Sequence, residues 1–274
     1  MTYDYLPSNT GVYLNKKPTI DLEYLLSQKV NNYVVCIDGL AGSGKSTLGK
    51  NLSVILNVPH ISSGIFYRVF TYIFCVYHLE FTPANIDKIA KDISFEIDLK
   101  EFNIIYKHKK IPKSELKNDA IDSALNRYSS DIYFRSTMSS ILVKMVQSLQ
   151  STFIIDLRGA SPDYVKELEK SKRPVIRILL VADTETKAQR RLTEYLGSKY
   201  SKDIYYRTKE HKEELYTSIK AKIIERDQQD IESITKTNIG LVHDTTGIID
   251  STGLSVEQVT NLALNFIQSN LHKN

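Results

Sequence analysis

Gly39-Leu40-Ala41-Gly42-Ser43-Gly44-Lys45-Ser46-Thr47 follows the apolar run Tyr33-Val34-Val35-Cys36-Ile37. It fits the spacing G-x-x-x-x-G-K-[ST] at every position, which reads as a strand running into a phosphate-cradling loop (P-loop) and then a helix. Glycines at 39, 42 and 44 let the backbone curl so that successive N–H groups, those of Ala41 and Ser43 among them, turn inward on a phosphate at φ values that side chains resist. Lys45 then reaches the β/γ-phosphates, and the Ser46 hydroxyl, next to Thr47, is the expected Mg²⁺ ligand. The helix that starts near Lys45 and runs to about Leu56 aims its positive end at the same anion.

Further strands follow at intervals. Thr152-Phe153-Ile154-Ile155-Asp156 ends in an acid, and Pro174 precedes the apolar run Val175 to Val181. An aspartate at the carboxyl end of a strand beside a P-loop is placed to face Mg²⁺, which makes Asp156 the second metal candidate; the alternative is an ordinary turn acid. Near-continuous apolar strands separated by helices predict an α/β fold, a doubly wound parallel sheet covered on both faces.

Between these pieces the texture changes. Thr82-Pro83 opens a helix around Ile86 to Ile93, and the alternating segments Ser94 to Leu99 and Asn103 to Lys107 predict a small antiparallel sheet inserted over 82–120. Ser62-Ser63-Gly64 opens an apolar helix carrying Arg68 in its first turns, a candidate second phosphate site or a solvated arginine. Later, a charged helix with Arg190 and Arg191, a Lys/Tyr-rich stretch and a return helix to Arg226-Asp227 form a basic segment. It holds ten Lys/Arg against five Asp/Glu between Lys187 and Lys222. A lid over a phosphate site needs such charge, whereas the plainer reading is a solvated helical hairpin. Adjacent arginines on a helix point about 100° apart, so one of the pair at most faces a given site.

Composition narrows the function classes. At 274 residues with 42% hydrophobic and 25% charged residues the chain has an ordinary globular composition. A net charge of +4 is too small to argue for nucleic-acid binding, and the six histidines lack ligand spacing for zinc. Cys36 and Cys75 lie in apolar runs, which reads as buried reduced thiols. No leader pattern opens the sequence, and Val69 to Leu79, its most apolar helical stretch, is too short to span a bilayer. The expectation is a cytoplasmic monomer acting on small-molecule nucleotides, with neither membrane nor nucleic acid as partner. Residues 1–30 precede the first clear strand and read as an extension with a docking helix near Asp21.

The order of these pieces resembles the bacterial cytidylate kinases. Ile37 to Thr47 is similar to that family's I-D-G-P-A-G-S-G-K-S-T, with Leu40 in place of proline, and Ser63-Gly64-Ile65-Phe66-Tyr67-Arg68 resembles T-G-A-M-Y-R. Asp156-Leu157-Arg158-Gly159 stands where the family has an acid and G-R-D, Arg190-Arg191 match the paired lid arginines, and Glu225 to Asp230 matches E-R-D-x-x-D. Ile249 to Thr252 and Leu254 to Val259 resemble its last strand and helix.

The resemblance covers about residues 31–274 and implies a nucleoside monophosphate kinase domain of P-loop NTPase fold, with an acceptor-binding insert (82–120) and a helical lid (190–222). It implies ATP as donor, Mg²⁺ as cofactor and CMP or dCMP as acceptor. Arg68, Arg135 and Arg158 would then hold the acceptor phosphate, Arg226 and Asp230 its sugar, and Asn126 its base. Lys45, Arg158, Arg190 and Arg191 would neutralise the transferring group. Three departures affect the acceptor side. Gly159 stands at the base-reading aspartate, Ser233 at a later phosphate-binding arginine, and Ser62 at the acid before T-G. Two rival readings follow from them, a kinase of the same fold with another phosphorylated acceptor and a nucleotide-binding regulatory module without turnover.

Overall fold

The structure, a computed structural model, describes residues 12–14, 20–27, 32–98, 101–116, 119–129, 131–149, 151–157, 173–197, 209–236 and 246–272. Its strands are β1 (Val12–Tyr13), β2 (Val34–Asp38), β3 (His60–Ser62), β4 (Ile93–Asp98), β5 (Glu101–Tyr106), β6 (Lys109–Lys110), β7 (Phe153–Asp156), β8 (Val175–Val181) and β9 (Gly247–Asp250). Its helices are α1 (Leu22–Ser27), α2 (Lys45–Leu56), α3 (Gly64–Val76), α4 (Pro83–Asp92), α5 (Asp119–Tyr128), α6 (Ile132–Ser148), α7 (Thr184–Gly197), α8 (Lys209–Lys236) and α9 (Val256–Leu271).

The main sheet has the order β1-β9-β8-β2-β7-β3 and every pairing in it is parallel. Strand side chains alternate between faces, so β2 feeds two cores. Val34 and Cys36 join Phe153 and Ile155 on one face, under Phe66, Phe70 and Phe74 of α3 and Phe134, Met138 and Met145 of α6. Val35 and Ile37 join Ile154, Ile176, Ile178 and Leu180 on the other, under Leu48, Leu52 and Leu56 of α2 and Val259, Ala263, Leu264 and Ile267 of α9. Each such leucine or phenylalanine contributes about 1.5–3 kcal/mol of burial, which makes β2 the best-anchored strand and the P-loop after it well placed. Arg173 ties the entry to this strand: its guanidinium donates to the carbonyls of Asn32, Val146, Leu149 and Ser151 and lies over the Phe153 ring.

The inserted sheet is present as β4-β5-β6, antiparallel. Phe95 and Phe102 stack on each other and meet Phe66 edge-on, so the insert's apolar face continues the α3 core. The α9 start carries a complete capping box between Ser255 and Gln258.

The segment before β2 holds the expected helix. Asp21 accepts the Tyr24 N–H at 2.9 Å, Leu25 is fully buried, and the Asp21 N–H donates to Gln268 Oε1 of α9 at 2.7 Å. It also holds a strand the sequence did not announce: β1 pairs in parallel with β9, Val12 opposite Gly247. Two residues offer no period to read, and β9's edge supplies the order that the segment's own pattern lacks. Cys36 is buried as expected, whereas Cys75, on the outer side of α3, is half-buried. Among the described residues no helix is long and apolar enough to cross a membrane.

Candidate active site

The P-loop leaves β2 between β7 and β8, at the carboxyl end of the sheet, where open α/β sheets bind their ligands. Gly39 has φ +144°, and a Cβ there would stand 2.1 Å from the Leu180 carbonyl oxygen, so no side chain fits. Gly44 precedes α2 at φ +101°, in the left-handed region. Lys45 is 7% exposed, and its ammonium donates to the Gly39 and Leu40 carbonyls at 2.6 and 2.7 Å. Ala41 and Ser43 are buried in the same turn, while Ser46 and Thr47 are exposed at the start of α2.

Asp156 stands beside this loop. Ile37 pairs with Asp156 across β2 and β7, and the Leu157 N–H donates to the Ile37 carbonyl at 2.8 Å. The carboxylate is 3% exposed and accepts from Ser62 Oγ at 2.8 Å and from His60 Nε2 at 2.9 Å. Burial pushes its pKa up, but the bonds from His60 and Ser62, with a lesser pull from the Ser46 hydroxyl, outweigh that and hold it below the ordinary carboxylate value. The two sequence-derived metal candidates therefore stand on adjoining elements, Ser46 at the start of α2 and Asp156 at the end of β7, with the carboxylate held in its anionic form.

The lid arginines separate as helical geometry requires. Arg190 donates to the Ser43 carbonyl at 3.0 Å and to Ser251 Oγ and O at 2.9 and 2.8 Å, bracing the P-loop against the end of β9. Arg191 faces outward and pairs with Glu194 at 2.7 Å. Lys187, one turn earlier, packs its Cβ against Gly42, and its ammonium donates to Asp227 of α8; both side chains are buried. Spacing does not announce this pair: Asp227 is the aspartate of the E-R-D-x-x-D stretch but Lys187 belongs to no motif, and the two meet only when α7 and α8 fold together.

On the acceptor side, Arg68 of α3 donates to the Leu116 carbonyl at 2.9 Å and pairs with Asp122 of α5 at 2.7 Å. Arg135 lies half-buried in the first turn of α6, and Arg226 and Asp230 half-buried on α8 beside Asp227. Asn126 and Ser233 lie on α5 and α8, with their side chains outside the described residues, as are Arg158 and Gly159 altogether. The structure thus brings Lys45, Ser46, Asp156 and Arg190 around one loop and sets Arg191 apart.

A family model described as cytidylate kinase matches residues 35–269, most of the chain. The chain belongs to the cytidylate kinase family. A cytidylate kinase of Acholeplasma laidlawii is 25% identical over 237 residues, covering 86% of this chain and 96% of that one. One from Fusobacterium nucleatum is 27% identical over 245 residues, covering 89% and 99%. A third, from Borrelia turicatae, is 30% identical over 167 residues, covering 58% of this chain and 69% of that one. This cytidylate kinase family member is a nucleoside monophosphate kinase.

Proposed function

We propose that the chain transfers the γ-phosphoryl group of ATP to CMP or dCMP, giving CDP or dCDP, with Mg²⁺ as cofactor. The observation that carries this reading is that the P-loop and the start of α2, with Ser46, adjoin the end of β7, where Asp156 is buried and pairs with Ile37 across the strands: a hydroxyl and a carboxylate, both hard oxygen donors. Mg²⁺ suits that set, since it binds through one or two carboxylates together with substrate phosphates and water. Among the described residues no cluster of three His, Cys, Asp or Glu could hold a metal alone, which fits an ion that arrives with the nucleotide. When bound it would neutralise charge on the β- and γ-phosphates.

The chain's own residues then have distinct tasks. The loop N–H groups from Gly39 to Thr47 cradle the donor phosphates, and Lys45 exchanges the Gly39 and Leu40 carbonyls for phosphate oxygens. The acceptor oxygen is already an anion, so no general base is needed and catalysis reduces to positioning and charge neutralisation. Arg68, Arg135 and Arg158 hold the acceptor phosphate, Arg226 and Asp230 the sugar, and Asn126 the base. Arg190 steadies the loop, and Arg191 is the lid cation with an exposed partner that it can leave on closure.

A second reading is favoured by Gly159 and Ser233: a kinase of this fold whose acceptor is another nucleotide or small phosphorylated compound, because a base-reading acid and a phosphate-binding arginine are both replaced. A panel of ribo- and deoxynucleoside monophosphates assayed with ATP and Mg²⁺ separates the two. The highest kcat/KM is expected for CMP or dCMP. Turnover confined to other acceptors would favour the second reading, and ATP binding with no turnover on any acceptor would overturn both.

A further inference from the structure

His60 sits in none of the motifs, yet it makes a direct polar contact with the site's buried carboxylate. Its Nε2 lies 2.9 Å from Asp156 Oδ2, with the two side chains 10% and 4% exposed. A nitrogen facing an ionised carboxylate at that distance carries the proton and donates. Ser62 donates to the other oxygen at 2.8 Å. A carboxylate has about four acceptor positions, so these two donors, one on each oxygen, fix its plane and leave positions for further ligands.

The helix across from the ring is shaped for it. Gly49 lies inside α2 without a left-handed φ, where glycine costs about 1 kcal/mol against alanine. A Cβ on Gly49 would stand 2.4 Å from His60 Nε2 and 2.6 Å from Cδ2, so the ring occupies the volume a side chain would fill. At position 62, where the family resemblance expects an acid, this chain has a serine that donates. The place where two carboxylates would meet therefore holds one carboxylate and two donors.

We propose that His60 is a positioning residue for the metal–nucleotide complex: it fixes Asp156 through Oδ2 so that the carboxylate faces Ser46, and Gly49 is the gap that admits its ring. This rests on the reading of Ser46 and Asp156 as the metal side of the site. Partners that orient a ligating carboxylate are worth 10–100-fold in metal affinity when removed. A merely structural histidine would leave the metal dependence of nucleotide binding unchanged.

Calorimetric titration of ATP with Mg²⁺ and with EDTA measures that dependence without catalysis. His60→Leu is expected to lose about tenfold of the Mg²⁺-dependent gain in ATP affinity while binding in EDTA stays as in the unmodified protein. His60→Gln, whose amide reaches as far as Nε2, should restore most of the gain and guards against a folding defect in the leucine variant. Gly49→Ala, which displaces the ring, should reproduce His60→Leu, and the double variant should be no worse than either. Equal losses with and without Mg²⁺, no loss at all, or failure of Gly49→Ala to reproduce the effect would each overturn the proposal. Asp156→Asn separates the two layers. If it keeps the Mg²⁺ gain, the metal reading itself fails; if it loses the gain while His60→Leu keeps it, only the role of His60 falls.

Discussion

Replacing Asp227 by leucine while Lys187 stays would strand an ammonium between the P-loop and the two lid helices. Lys187 is 4% exposed and Asp227 8%, and the lysine's Cβ lies 3.2 Å from where a Gly42 Cβ would sit, so no rotation short of unpacking α7 returns the charge to water. Removing one member of a buried ion pair costs about 3–5 kcal/mol. For a chain of this size each kcal/mol lowers Tm by about 2–4 °C, so a fall of roughly 6–20 °C is expected. The pair's net worth is much smaller than that loss. Burial, with a smaller push from the Asp230 charge, raises the Asp227 carboxyl above its ordinary value against the pull of Lys187 and Lys45, and its Oδ1 has no hydrogen-bond partner among the described residues. Lys187→Met combined with Asp227→Leu should therefore lie within about 1 kcal/mol of the starting protein. Calorimetric melts of the two single variants and the double, without nucleotide, make the comparison. A loss under about 1 kcal/mol in Asp227→Leu, or additive losses in the double, would refute a buried, coupled pair.

Other substitutions test other links. Arg68→Ala should raise the acceptor's KM at least tenfold, the worth of a hydrogen bond to a charged group, with ATP affinity unchanged. Asp122→Asn, which releases Arg68 from a half-exposed pair worth at most about 1 kcal/mol, should lower that KM by up to about fivefold, and a rise would mean that Asp122 orients Arg68 instead. Leu25→Ala should destabilise by about 3 kcal/mol in urea melts, since Leu25 is fully buried against the α9 side of the sheet; a change within 0.5 kcal/mol would make α1 peripheral (a surface-sized effect). Asp183 accepts the Thr186 N–H at 2.6 Å ahead of α7, and bonds from Thr186 hold its pKa below the ordinary value. Its contribution is thus full above the unfolded carboxylate pKa of about 3.9 and is lost as pH falls through the lower folded value. Asp183→Ala should cost about 1 kcal/mol at pH 7, with the gap closing in acid; a gap that is constant with pH would contradict the cap.

Much of this fold could be read ahead because the signals were local. The P-loop spacing, the apolar runs of β2, β7 and β8 and the alternation in β4 and β5 each lie within a few residues, and each element formed where expected. Contacts that depend on register across distant segments could not be read that way. His60 meets Asp156 because β3 pairs with β7, and Lys187 meets Asp227 because two helices pack; neither pairing leaves a trace in spacing. Gly49, an interior helix glycine with no turn to serve, was the one local hint that a ring lies against α2. Arg190 and Arg191 show the limit from the other side. A pair of adjacent arginines announces a basic lid, but only the helix phase says which one braces the loop and which faces out.

The central claim is that the chain moves a phosphoryl group from ATP to a cytidine monophosphate through Lys45. Steady-state transfer of the γ-phosphate to CMP, measured for the unmodified protein and for Lys45→Ala, tests it most directly. The account predicts CDP formation by the former and a kcat at least about 10²-fold lower in the latter, the scale of losing one preorganised charge stabiliser, with its melting curve preserved. No CDP from the unmodified protein, or near-normal turnover after Lys45→Ala, would contradict it.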